Sequence, residues 1–346
     1  MAQLDMLRDR LCFAGIPASL VGALVADVSS GKSWYASCRP LLATCLAAAR
    51  RARGSERASD AARLWRDASA LCQAASLDVH TTSAPGWTIR RTRRLRGLAA
   101  RSFQRACDCA PELATRVQIG AGGARGGVTG YFQQPARWSG ASVVLLNGLD
   151  SVCECELQAF SRAFLERDLA TLSLDVPGAY AAGLPQFDTE RLSSRVADWL
   201  ARRGSRPPYA AFGVSFGAQL AARLLSGDDR FHRGVLVSPN AWFEPLDAMP
   251  PRLARMLAVT LGREVTQLDL DATRIDRVSP PRARLLLVEM TRDELFGRQH
   301  GDAYEQWATG RLERVCFDAE HVGTSVVHQW LPLAAEWLTK NVGVVQ

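Results

Sequence analysis

The chain has 346 residues, enough for one large domain or two ordinary ones, and 47% of them are hydrophobic, so a substantial core can be buried. The formal net charge is +7, but Lys32 and Lys340 are the only lysines, and no nucleic-acid-binding motif accompanies the arginines, which argues against a nucleic-acid partner. Charges at Asp5, Arg8, Asp9 and Arg10 break any apolar signal region, and no run of about eighteen apolar residues exists, so the expectation is a cytoplasmic protein with no membrane span.

Residues 1–112 have a helical texture. Leu4, Leu7 and Leu11, then Leu20, Leu24 and Val28, recur at helical spacing. Tyr35–Arg53 and Ala58–Leu77 are rich in alanine, leucine and arginine. Val79–Thr88 is the one β-like piece, interrupted by Pro85-Gly86. Arg90–Cys109 reads as an amphipathic helix stopped by Pro111. An all-α N-terminal domain over residues 1–112 is expected. The run from Arg90 to Arg96 reads first as a solvated face. Its functional alternative is contact with an acidic carrier protein or a coenzyme A phosphate.

From Glu112 the texture changes. Val117–Ile119 and Val128–Gln133 are short strands around the glycine cluster Gly120–Gly127. Ala141–Leu146 is a buried strand running into Asn147-Gly-Leu-Asp-Ser151, with a helix expected over Glu154–Arg167. Leu169–Leu174 is the next strand, ending at Asp175-Val-Pro-Gly178. Thr189–Arg203 is helical, and Tyr209–Phe212 is a strand. Gly234–Val237, Arg284–Glu289 and Leu312–Phe317 are further strands, and Ser325–Lys340 closes the chain as a helix. Strands alternating with helices predict an α/β fold with a doubly wound, mostly parallel sheet over residues 113–346. The insertion at about 239–281 follows a strand end, so it is expected to lie over the site as a small lid carrying Trp242 and Phe243.

Nine cysteines include the C-x-C pairs Cys107/Cys109 and Cys153/Cys155, both on segments that read as helical. Tetrahedral metal sites favour wider spacing. Buried reduced thiols in a reducing compartment are expected, with no metal and no cofactor.

The stretch that organises the chain is Gly213-Val-Ser215-Phe-Gly217, set between the apolar strand and an Ala/Leu-rich helix. Three fixed positions match by chance roughly 0.1 times in a chain of this length, so the flanking elements carry the weight. A serine at the tip of a strand-to-helix turn is held in a strained backbone region, and its neighbours must be very small. Its hydroxyl then projects beside the amides of a helix N-terminus.

A serine hydroxyl needs a base, and the base an orienting carboxylate; in this arrangement both follow the serine, the acid first. Of five histidines, His80 precedes the sheet. His232 sits among charges, His300 falls in a polar helix or loop, and His328 lies within the closing helix as a packing or capping residue. His321 follows the last strand and is the candidate base. Asp293 lies just beyond a strand end and is the candidate acid; Glu289 and Glu294 compete with it. The backbone amides of Phe216 and Leu149 are the candidate oxyanion donors, with Gly148 allowing the loop to turn. Asp150 is expected to support that loop by capping the helix that follows.

Together these residues resemble the α/β-hydrolase superfamily. Asn147-Gly-Leu-Asp-Ser151 followed by Glu154-Cys-Glu-Leu-Gln-Ala-Phe160 is similar to the branch of the fermentation-respiration switch-type esterases and 2,6-dihydroxypseudooxynicotine hydrolase. Members carry an N-terminal helical domain. Asp175-Val-Pro-Gly178 resembles that branch's D-G-P-G turn, with Val176 in place of the first glycine and Ala179–Gly183 in place of its polar continuation. The resemblance implies Ser215 as nucleophile, Asp293 as acid, His321 as base and frequent homodimers. It implies a small-molecule substrate and hydrolysis of an ester or thioester. Cleavage of a carbon–carbon bond next to a ketone, acyl transfer or cyclisation, or ligand binding without turnover are the alternatives.

Overall fold

The computed structural model describes residues 2–53, 58–77, 85–120, 127–181 and 189–340. Its N-terminal part is helical: α1 (Ala2–Phe13), α2 (Ala18–Ser29), α3 (Trp34–Arg53), α4 (Ala58–Ser76) and α5 (Pro85–Cys109). The three- and four-residue spacing of Ala61, Trp65, Ala68 and Cys72 buries one stripe of α4, and from Ala68 onward the helix is enclosed on every side between α3 and α5. Trp34 is buried against it and donates its indole N–H to the Ala74 carbonyl at 2.6 Å. The β-like reading of Val79–Thr88 fails from Pro85 onward. Proline opens α5, where its missing N–H costs nothing. Residues 79–84, His80 among them, lie outside the described residues, as do 121–126 of the glycine cluster and 182–183 of the loop after Gly178.

The sheet holds β1 (Thr115–Gly120), β2 (Gly127–Gln133), β3 (Ser142–Leu146), β4 (Ala170–Leu174), β5 (Tyr209–Val214), β6 (Phe231–Val237), β7 (Arg284–Met290) and β8 (Leu312–Phe317). Their order is β1-β2-β4-β3-β5-β6-β7-β8. The pairs β1/β2 and β2/β4 are antiparallel; every other pair is parallel. All residues of β3, β4 and β5 are buried, because helices cover both faces. On one face lie α6 (Glu156–Leu165) and α13 (Val327–Thr339), whose Phe160, Phe164 and Trp330 surround Phe212. After β4 comes the short α7 (Val176–Ala181), and the other face packs α8 (Thr189–Arg202), α9 (Phe216–Gly227) and α12 (Arg298–Ala308). Phe103 of α5 meets Tyr131 of β2 edge-to-face at 4.8 Å, so the helical part shares a core with the sheet.

The chain leaves β3 towards β4 on one side and resumes at β5 on the other, which opens a crevice at the carboxyl ends of β3 and β5. The segment at 239–281 sits at that end. It contains α10 (Pro251–Leu261), α11 (Gln267–Thr273) and a 3-10 turn, Ile275–Arg277. Gln219 and Arg223 of α9 donate to the Thr273, Ala272 and Arg274 carbonyls, so this segment is tied to the body. Two expected helix starts move. The closing helix begins at Val327, after a 3-10 segment from His321 to Val326. The sixth helix begins at Glu156, so Cys153, Glu154 and Cys155 lie in the turn before it. Among the described residues no helix is long and apolar enough to cross a membrane.

Candidate active site

The turn between β5 and α9 carries Ser215 at φ 57° and ψ −127°, in the left-handed region disfavoured for a residue with a Cβ. The glycines on either side are required by contact. A Cβ on Gly213 would strike the Gly217 carbonyl, and one on Gly217 would strike the Leu146 carbonyl. Backbone is what they meet, so no side-chain adjustment would relieve the clash.

His321 leaves β8 and brings its Nε2 to 2.9 Å from Ser215 Oγ. Its Nδ1 lies 2.7 Å from Asp293 Oδ2. The Asp293 side chain is 2% exposed, and its other oxygen accepts the Leu295 and Phe296 amides at 2.9 Å each. Burial by itself would disfavour the charged carboxylate. The His321 ring and the two amides outweigh that and hold Asp293 below the ordinary carboxyl range. A buried carboxylate, a histidine and a serine thus form one hydrogen-bonded chain.

The competing carboxylates are occupied elsewhere. Glu289 pairs with Arg314, while Glu294 is 85% exposed at the rim, 3.9 Å from Arg252. The remaining described histidines do not reach the serine. His232 and His328 are exposed, so the packing role expected for His328 is not found. His300, expected in a polar setting, is buried in α12 and accepts the Ala241 amide at Nδ1, 3.1 Å away. Burial pushes its pKa down to about 4. Its ring supports Trp242 at 4.4 Å and Phe296 at 5.3 Å, and Phe296 in turn meets the His321 ring at 5.3 Å.

Two supports of His321 carry no motif. Ser238, at the end of β6, accepts the Val322 amide on its Oγ at 3.0 Å. Trp330 is fully buried and donates to the Gly323 carbonyl at 2.9 Å. Gly323 has φ 60° and a Cβ there would collide with Met290, so the turn after His321 depends on that glycine.

Gly148, after β3, backs onto the serine: a Cβ placed there would sit 3.4 Å from Ser215 Cβ. The Asn147 side chain donates from Nδ2 to the Ser151 carbonyl at 2.8 Å and the Gly148 carbonyl at 3.3 Å. Phe216 opens α9, at the positive end of that helix. Asp150 does not cap the sixth helix, which starts six positions later and has Cys155 as its N-terminal neighbour with no side-chain cap. It supports the loop in another way, through a bidentate pair with Arg10 of α1 at 2.6 and 2.9 Å.

The arginine run divides according to helix face. Arg96 turns inward and donates to the Leu149 carbonyl at 2.6 Å. Arg90, Arg91 and Arg94 line a separate hollow with Tyr35, over whose ring the Arg91 guanidinium lies at 4.1 Å.

The serine opens into a cavity of about 390 Å³, a size suited to a small or medium organic molecule. Its apolar wall includes Phe13, Phe160, Leu253, Met256 and Phe296, drawn from α1, α6, α10 and the loop after β7. All nine cysteines are free thiols, and no group of three or more metal-ligating side chains occurs among the described residues.

No family model matches the sequence, and no curated protein matches it. Solved structures do. The crystal structure of 2,6-dihydroxy-pseudo-oxynicotine hydrolase superposes with a TM-score of 0.82 at 18% identity, covering 97% of this chain and 95% of that one. AbyA5 gives 0.58 at 15% identity, over 87% of this chain and 88% of its own. Est1E from Butyrivibrio proteoclasticus gives 0.51 at 13% identity, over 66% of this chain and 99% of its own. The fold is that of the α/β-hydrolases. With the first of these structures the likeness extends through the N-terminal helices as well.

Proposed function

We propose that the protein is a serine hydrolase that cleaves an ester or thioester of a small or medium organic compound through an acyl-enzyme. The observation that carries the reading is the chain Asp293–His321–Ser215, with links of 2.7 and 2.9 Å, ending on a strained serine at the cavity floor. In this mechanism His321 Nε2 takes the Ser215 proton as Oγ attacks the carbonyl carbon. Asp293 orients the ring and stabilises its charged form. The Phe216 and Leu149 amides receive the developing oxyanion, and one such donor typically contributes about 2.7–4 kcal/mol to the transition state. His321 then protonates the leaving group and activates the water that releases the acid. The cysteines are free thiols, with Cys38, Cys72, Cys107, Cys153 and Cys155 buried as expected but Cys12 and Cys316 exposed, and they favour a reducing, cytoplasmic setting.

Labelling with a fluorophosphonate, read by intact mass, tests this reading. One adduct is expected on the wild type and none on Ser215→Ala or His321→Ala. A folded wild type that stays unlabelled would overturn it.

A second reading is hydrolysis of a carbon–carbon bond next to a ketone. It is favoured by the full-length likeness to 2,6-dihydroxy-pseudo-oxynicotine hydrolase, helical region included. Turnover of a ketone panel with esters left intact would select it.

A further inference from the structure

The loop after β3 has no regular structure at Leu149 and Asp150, yet the Leu149 amide has to be aimed to within a fraction of an ångström to hold an oxyanion. Asn147 governs the near side of that amide. It donates to the Gly148 carbonyl, and in a planar trans peptide the N–H on the far side of the bond points the opposite way. The next peptide is governed from outside the sheet. Arg96 of α5 donates to the Leu149 carbonyl at 2.6 Å, and Thr260 of α10 donates to the same oxygen at 3.4 Å. Asp150 is then gripped by the two terminal guanidinium nitrogens of Arg10. Arg10 is itself fixed by Glu156, which receives a further hydrogen bond at 2.7 Å from Gln73 of α4.

We propose that Arg96 and Arg10 are positioning residues: two arginines of the N-terminal helices clamp the Leu149–Asp150 dipeptide and so aim the Leu149 amide at the reacting carbonyl. This rests on the serine-hydrolase reading above. Arginine suits the task because its rigid planar fork binds a carboxylate in one orientation and remains ionised when buried. Burial alone would weaken the charge on Arg10, but Asp150 and Glu156 more than restore it. For Arg96 burial lowers the pKa, and the carboxylates of Asp175 and Asp150 oppose the loss. Neither guanidinium needs to touch substrate for this. The clamp makes the helical region part of the catalytic machinery, since the oxyanion loop is held from both sides of the site.

The test uses the full chain, with Arg96→Gln, Arg10→Gln and the partial-rescue variant Arg96→Lys. The probes are a fluorophosphonate and p-nitrophenyl butyrate. A misplacement near 1 Å costs roughly a hundredfold, so labelling by Arg96→Gln is expected to slow about tenfold to a hundredfold. The kcat for the ester should fall by the same factor, with KM changed less than about threefold. Arg96→Lys should recover part of the loss, and Arg10→Gln should show a smaller drop in kcat. Wild-type rates in both glutamine variants overturn the clamp, and so does a loss confined to KM. Failure of both variants to fold also overturns it, because the arginines would then be holding the fold and not the loop. If the serine-hydrolase reading itself is wrong, the wild type stays unlabelled, which separates the two failures.

Discussion

The sheet and the N-terminal helices meet at the loop Asn147–Ser151, and they grip it by different physics. The sheet side works through close packing and uncharged hydrogen bonds. Gly148 approaches the serine closely, and Asn147 satisfies two carbonyls of its own loop. The helical side works through charge: Arg10 on Asp150, Arg96 on the Leu149 carbonyl. Close packing fixes a position only against what it touches: Gly148 meets Ser215, and Gly217 meets Leu146. Charged side chains reach across elements and join residues 140 positions apart. The strained turn that presents Ser215 rests on the first kind of contact. The loop's connection to the N-terminal helices rests on the second.

That contrast can be broken by substitution. The largest effects should fall on the sheet side. Ser215→Ala is expected to remove ester turnover by about a million-fold, and Asp293→Asn to lower kcat about 10⁴-fold. Both variants should leave the fold intact, as read by circular dichroism. If Asp293→Asn keeps wild-type turnover, the acid assignment is wrong.

The arginine variants described above come next, with losses of about tenfold to a hundredfold. Should they match Ser215→Ala in severity, the division between the two regions collapses.

Smaller still is Trp330→Phe. It deletes a hydrogen bond to the buried Gly323 carbonyl, a loss of about 0.5–1.5 kcal/mol. A lowered Tm is expected, with kcat falling only as far as His321 is released.

Acidity offers a fourth probe. Glu154 is buried near Asp175, and burial followed by that neighbouring charge pushes its pKa from the ordinary 4.5 up to about 7. A carboxyl whose folded value is raised binds its proton more tightly in the native state. Its contribution to stability is therefore complete below 4.5 and is lost as pH rises through about 7. Glu154→Gln is neutral at every pH, so Tm measured across that window should flatten relative to wild type. Asp293 has the opposite sign, because its folded value is lowered. Its contribution is present above the ordinary 3.8 and is lost as pH falls through the folded value. An unchanged Tm profile in Glu154→Gln would remove Glu154 from this account.

The smallest effect is reserved for the segment at 239–281. Thr266→Ala removes the capping box that opens α11, which typically costs about 1 kcal/mol. Ester turnover should not change.

Much of the site was legible in the residues. Gly213, Ser215 and Gly217 announce themselves because the turn tolerates nothing larger, and a local steric demand leaves a local signature. Asp293 and His321 could be placed because each follows an apolar strand, in the order that geometry requires. The parallel sheet was legible for the same reason: buried strands and amphipathic helices have different periods. Asp150 was misread. Its nearest downstream helix suggested a cap, but that helix starts six positions on and the true partner is Arg10. Arg96 was hidden in a charge run, since helix rotation, not composition, turns it inward while Arg90 and Arg94 remain exposed. Ser238 and Trp330 gave no signal, because a serine and a tryptophan at those positions serve ordinary packing equally well.

The sequence by itself determined the α/β architecture, the strained serine and the chain order of the candidate acid and base, since each follows from short-range sterics and hydrophobic period. Only the tertiary structure decided which charges meet. The pairing of Arg10 with Asp150, the reach of Arg96 to Leu149 and the burial of His300 depend on how distant elements pack, and an ion pair or buried acceptor has no local period to read.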